Sequence, residues 1–314
     1  MSQRQHFITV DPVFETFVDI NQAPEVIADG CIWTEGPVWL DDGLFFNDIP
    51  NKRMMHWTEN EGVSVALPNS EFANGNTLDR SGHMVSCEHG GRRLVKRVDP
   101  FDLNSVEVLA DAFEGKRLNS PNDVVFKSDG SIWFTDPPYG INSDIEGYPA
   151  KSEIGGCYVF CVSSEGTISA VATDFVKPNG LAFSPDEKRL FIADSGAIRG
   201  ASFPGINYEL PHHIRVFDVE GTKLKNGRVF AVIAPGVPDG FRIDQHGNVW
   251  TSALDGIHCL SPEGALLGKI RLPAQTSNLC FGGADGKTLF ITSSDKVYRV
   301  RSFCRDAAHV SNEI

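Results

Sequence analysis

Six polar residues stand at matching places along the chain: Glu35 in EGPVW, Asn74 in NGNTL, Asn122 in NDVVF, Asn179 in NGLAF, Asp239 in DGFRI and Asn278 in NLCFG. Each opens a short apolar run. Every one offers a side-chain oxygen, and none offers sulfur or imidazole. Two carboxylates to balance a double charge, with amides to fill the shell, make a donor set for a hard cation. Calcium suits a loose shell drawn from distant parts of a chain, whereas magnesium demands a smaller octahedral cage. Asn and Asp also open strands because they make good turns, so any one of these residues is ordinary alone. Glu is not a favoured turn residue, and six coincidences point to a site. Glu35, Asn122, Asn179 and Asp239 are the expected direct ligands. Asn74 and Asn278 support them or serve the turns.

The elements that position these residues repeat with them. Each apolar run is followed by a tight turn, usually containing Gly (Asp-Gly, Ser-Gly or His-Gly), and then by a second apolar run. Short hairpins require such turn residues. The unit is about forty to sixty residues long, which leaves room for two further strands, such as CYVFCVSS and ISAVATDF after the third hairpin. Six four-stranded units predict an all-β fold, a six-bladed β-propeller. A β-sandwich does not predict six repeated hairpins. We expect one domain over residues 1–314, with residues 1–30, including the strand-like FETFVDI, closing the ring. The first strand of each blade lines the central channel, so the polar column gathers as a metal site at one mouth.

The antiparallel partner returns each hairpin to that mouth. Asp136 is therefore expected near Asn122 and Asp194 near Asn179, with Glu88 and His89 approaching from the second blade. Asp194 serves either as a base or to orient Asn179. The long connections 137–156 and 195–213 emerge on the same face, and long loops commonly form binding surfaces. Their aromatics Tyr139, Tyr148, Phe203 and Tyr208 are candidate pocket walls. His89, Glu88, Arg117, Asn119 and Tyr139 are the candidate substrate contacts. The run from Arg92 to Arg97 alternates like an exposed strand face.

Composition narrows the partners. The chain has 28 Lys and Arg against 41 Asp and Glu, a formal charge of −13. Such a surface repels phosphate backbones and argues against nucleic acid. There is no stretch of about 18 apolar residues to span a membrane, and the N-terminus lacks the apolar core of a secretory signal. The seven cysteines are thinly spread and form no CxxC, which reads as reduced core thiols in a cytoplasmic protein. Oligomeric state has no signature in the sequence.

The segments EGPVW, GKRLNSPNDVV, FTDPPYG, PNGLAFSPD and PDGFRID, in this order from about residue 30 to 300, resemble the senescence-marker-protein, gluconolactonase and luciferin-regenerating-enzyme family. The bacterial gluconolactonases, with KRLNSPND and CEHGGRR, are the nearer pattern. The resemblance implies a six-bladed propeller, one divalent metal (commonly calcium, with zinc, manganese or magnesium as substitutes) and hydrolysis of a small-molecule lactone. It carries the family's ligands onto Glu35, Asn122, Asn179 and Asp239, and its base onto Asp239. One departure is Ser120, where animal lactonases of the family have arginine; the nearest arginine here is Arg117. A carboxylate on a dication is a weakened base, offset in part by the lowered pKa of metal-bound water. Asp136 and then Asp194 are the alternatives, and direct attack by Asp239 is a further route. The rival functions are a phosphotriesterase like diisopropylfluorophosphatase, a non-enzymatic calcium-binding propeller, and a strictosidine-synthase-like propeller, against which the intact ligand set counts. The lactone itself, a hexonolactone, a pentonolactone or one without a sugar, is not named by these motifs.

Overall fold

Each hairpin forms because two apolar runs flank a turn whose residues suit it. In the third repeat Val124–Phe126 pairs antiparallel with Ile132–Asp136. Between them Gly130 adopts φ 91°, open to glycine at little cost, and the Asp129 carboxylate accepts the Ser131 amide at 2.9 Å. The computed structural model describes residues 3–198 and 205–310. Its six principal sheets are the blades of a six-bladed β-propeller. Their first strands are Thr34–Leu40, Ala73–Leu78, Val124–Phe126, Pro178–Phe183, Phe241–Ile243 and Thr276–Gly282. Each touches the next, and the sixth touches the first.

The N-terminal segment contributes two strands, but not where the sequence suggested. Glu25–Ala28 is the outer strand of blade six and pairs with Lys296–Arg301. Phe7–Thr9 is a fifth strand on blade five, against Leu266–Arg271. FETFVDI is not a strand: Pro12–Thr16 forms a 3-10 helix, capped by the Asp11 carboxylate accepting the Val13 amide. Phe14 at its centre is buried beside Trp250. Pro12 fixes φ and removes a donor, which favours a helical start over a ladder.

The core lies between blades rather than within one layer. Trp133, Val159 and Cys161 of blade three pack on Leu181, Leu190, Ile192 and Phe217 of blade four. Phe134 and Phe160, from the other face of blade three, pack on Val85, Cys87 and Leu94 of blade two. Both faces of each sheet are therefore apolar, which explains why LFFND, IWFTD and LFIAD read as continuous apolar runs. Cys87, Cys161, Cys259, Cys280 and Cys304 are buried, while Cys31 and Cys157 are half-buried; all seven are free thiols. No helix among the described residues is long and apolar enough to cross a membrane.

The inner strands approach one another closely at the residue after four of the six column positions. A Cβ on Gly36 would fall 1.8 Å from the Asn74 carbonyl oxygen, and one on Gly180 would fall 2.3 Å from that of Asp239. On Gly75 it would meet the Asp123 carboxylate at 2.4 Å, and on Gly240 the Asn278 side chain at 2.0 Å. Glycine is needed here so that backbone can meet backbone across the channel wall. Blade three carries Asp123 at this level and blade six Leu279.

Candidate active site

Glu35, Asn74, Asn122, Asn179 and Asp239 converge from five blades on one cavity of about 480 Å³ at a mouth of the channel. The polar wall continues with Glu146, Ser195 and Gln275, and the apolar wall includes Trp33, Ile49, Val237 and Leu254. Tyr139 also faces it, and its buried hydroxyl has no hydrogen-bond partner. The long loops of blades three and four supply Tyr139, Glu146, Ser195 and Ile198, so they do wall this mouth.

A repeated device aims three of the column residues. At the end of the second strand in blades one, three and four an aspartate accepts the backbone amides three and two residues before the column position. Asp48 takes Ile32 and Trp33 at 3.0 and 3.4 Å. Asp136 takes Asn119 and Ser120, both at 2.8 Å. Asp194 takes Val176 and Lys177 at 3.1 and 2.9 Å. Each carboxylate thus satisfies amides that the incoming loop would otherwise bury unpaired. Blade five departs, since the Asp239 amide donates to Ser252 Oγ at 2.9 Å.

The acids of the cavity repel one another. Burial pushes the Glu35 carboxyl up to about 8, against partial relief from the Gly36 amide and Asn278. Burial and then the charge of Glu35 hold Asp239 well above the usual carboxylate range. Glu35 receives the Gly36 amide at 2.7 Å and the Asn278 amide at 3.0 Å, both on Oε2, which leaves Oε1 for a ligand. Within this cavity the two repelling carboxylates Glu35 and Asp239, with the Asn122 and Asn179 amides, fit a hard dication, whose binding would relieve the repulsion. No group of three or more His, Cys, Asp or Glu side chains is gathered as a metal cluster among the described residues, so the amide oxygens are essential to such a shell.

Several sequence-predicted contacts stand elsewhere. Asp136 and Asp194 lie behind the cavity wall, engaged as loop anchors. Glu88 is fully buried and paired with Arg93, at 2.6 Å, and with Arg97. The Arg92–Arg97 stretch is accordingly not an exposed face, since Arg92 and Arg97 are buried. Arg117 is exposed and donates to the Gly91 carbonyl at 3.0 Å. Asn119 is buried, tying Asp136 and Gly156 carbonyls together. His89 is buried between Asn74 Nδ2 at 3.3 Å and the Glu146 carbonyl at 3.1 Å. Burial drives its pKa down to about 4, so it is a neutral strut between column and loop. Tyr148 packs edge-on against Phe72, and Tyr208 accepts the Gly236 amide; Phe203 lies outside the described residues. Glu146 was missed by sequence reasoning because its loop has no period; its place in the lid-like segment 137–156 was the only signal.

Residues 33–295 match the profile of the SMP-30/gluconolactonase/LRE-like region. The chain belongs to this family. A gluconolactonase of Zymomonas mobilis subsp. mobilis is 37% identical over 311 residues, covering 93% of this chain and 84% of that protein. The solved structure of a gluconolactonase from Xanthomonas campestris has a TM-score of 0.84 at 31% identity and covers 94% of either chain. A regucalcin from Agrobacterium tumefaciens, described as a calcium-binding protein, shares the fold with a TM-score of 0.69 at 16% identity, covering 89% of this chain and 94% of that one.

For this family member the raised acids make a pH prediction. Glu35 binds its proton more tightly folded, at about 8, than unfolded, at the ordinary 4.5. Between those values the folded chain holds a proton that unfolding releases, so stability falls as pH rises through the window. Asp239 acts in the same direction. The melting temperature in chelator is expected to fall from about pH 5 to about pH 8. Thermal melts at constant ionic strength check this; a melting temperature that rises across the window contradicts it.

Proposed function

We propose that the protein hydrolyses a sugar lactone to its aldonic acid with the help of one divalent cation, calcium for preference. The observation that carries this reading is the convergence of Glu35, Asn122, Asn179 and Asp239 on one cavity. Similarity to two gluconolactonases supports the substrate class. Those four side chains would hold the metal, which when bound supplies Lewis acidity toward an ester carbonyl.

The chain's own groups do the rest. Asp239 accepts the proton of the attacking water. Asp136 and Asp194 act through the loops they anchor, by holding Asn122 and Asn179 in place. The unpartnered Tyr139 hydroxyl is a donor for an oxygen of the substrate. Glu146 replaces Glu88, Arg117, Asn119 and His89 as the group that meets sugar hydroxyls. Its half-buried carboxylate is raised by desolvation and feels Lys177 as its relieving charge. Glu146→Gln is expected to raise KM about tenfold with kcat nearly kept, because a carboxylate accepts hydroxyls more strongly than an amide. Steady-state kinetics checks the split; a fall in kcat at constant KM would assign Glu146 to the chemical step instead.

The apolar wall of Trp33, Ile49, Ile198, Ile206, Val237 and Leu254 favours a second reading, a phosphotriesterase that accommodates alkyl groups. One experiment separates the two. Acid release is followed on a panel of aldonolactones and on a dialkyl phosphotriester, with chelator and then with calcium, zinc or manganese restored. Metal-restored turnover of a lactone, above spontaneous hydrolysis, is the expected result. Turnover of the phosphotriester alone selects the rival, and metal binding without turnover of either leaves a calcium-binding propeller.

A further inference from the structure

Beneath the cavity, side chains from four blades cross the channel. Glu35 of blade one accepts from Asn278 of blade six at 3.0 Å. Asn278 also lies close enough to Asp123 of blade three to favour its charged form. Arg242 of blade five brings its Nη1 to 3.8 Å from Asp123 Oδ2. That oxygen is buried and has no hydrogen-bond partner, so the guanidinium is its compensation. Asp123 enters the channel at the level where blades one, two, four and five carry Gly36, Gly75, Gly180 and Gly240.

The charges can be paired off. Asp239 feels the charges of Glu35, Asp123 and Glu146. Asp123 is opposed by Arg242 below the cavity, and Glu146 by Lys177 at its wall. Asp306 is half-buried and lines, with Arg242, a separate pocket away from the cavity. Glu35, on which Arg242 is the least of the relieving influences, and Asp239 remain, and once a dication displaces their protons they carry a double negative charge.

We propose that Arg242 is a fixed counter-ion that neutralises Asp123, so that the channel core presents the charge complementary to one divalent cation and discriminates against a trivalent one. This rests on the metal-dependent reading above. A guanidinium is a permanent charge, so it cannot adapt when its partner is removed. Asp123→Asn then leaves an unopposed cation beneath the site. Removing that cation as well, in Asp123→Asn with Arg242→Met, returns the core to a double negative charge.

The test is isothermal titration calorimetry of the metal-free protein with calcium chloride and with lanthanum chloride. Asp123→Asn is expected to weaken calcium about tenfold or more, and lanthanum more steeply. The double variant should recover calcium affinity to within about threefold of the parent. Arg242→Lys, which keeps the charge and changes the shape, should also stay within about threefold. Unchanged binding in Asp123→Asn, or a double variant no better than the single one, overturns the proposal. If the parent binds no calcium, the metal reading itself fails, and the two failures are thus distinguished. Should Asp123→Asn not fold, Arg242→Met alone is expected to raise the lanthanum-to-calcium affinity ratio about tenfold while Arg242→Lys does not; an unchanged ratio overturns the proposal.

Discussion

Asp239→Ala and Glu35→Gln are each expected to lower lactone turnover by about a thousandfold or more and to weaken calcium binding in parallel. The two residues are the carboxylates among the four expected ligands, and both face the cavity. Removing either leaves one negative charge against a dication in a site where burial already makes charge expensive. They differ in what excess metal can repair. Glu35→Gln keeps an oxygen at the site and retains Asp239, the proposed base, so saturating calcium should recover part of its rate. Asp239→Ala loses the proposed ligand and base together, so saturating calcium should not restore it. Initial rates at increasing calcium, read beside binding isotherms, separate the two. Full activity in the Glu35→Gln, Asp239→Ala double variant would remove the metal-hydrolase reading altogether.

The second large effect is on folding. Gly36→Ala is expected to cost about 4 kcal/mol or more and to lower the melting temperature by roughly 8 °C or more. Gly36 adopts φ 54°, and its added Cβ would stand 1.8 Å from a backbone oxygen of Asn74 and 2.9 Å from the Asn76 side chain. Neither blade one nor blade two can give way without opening the ring that sets the site. Gly62→Ala is the control. Gly62 has a similar φ of 70° but nothing within 4 Å of the new Cβ, so only the conformational cost of about 1 kcal/mol is expected. Equal destabilisation of the two variants would show that backbone conformation, rather than close approach across the channel, governs both.

The repeat made the propeller and the polar column legible together. Short apolar runs, turn glycines and a recurring start are local properties, and six copies of one hairpin leave few architectures able to bury both faces of every sheet. The same repeat placed Glu35, Asn74, Asn122, Asn179 and Asp239 at one level, and the cavity lies there. The device that aims three of them was half visible. Asp136 and Asp194 were expected at the right mouth, but their hydrogen bonds to the incoming loop were not. Sequence position tells which end of a strand an acid occupies, not whether a backbone amide or a ligand meets it.

What the sequence by itself determined is everything carried by short-range pattern: the blades, their order, and the mouth at which the oxygen donors gather. What only the tertiary structure decided is which side chains pair, within a blade and across the ring. Glu88 is taken by Arg93 and Arg97, His89 is locked between Asn74 and a loop carbonyl, and FETFVDI yields its place in blade six to Glu25–Ala28. Glu146 reaches the cavity from a loop without periodicity, and Arg242 meets Asp123 from a blade that is not its neighbour in sequence. Some of those contacts join residues more than a hundred positions apart or hang on loops whose course the backbone pattern does not specify, and those of Glu88 with Arg93 and Arg97, though near in sequence, depend on which side chains the blade buries together. Ring closure sets their distances, because only there do six separate inner strands share one channel.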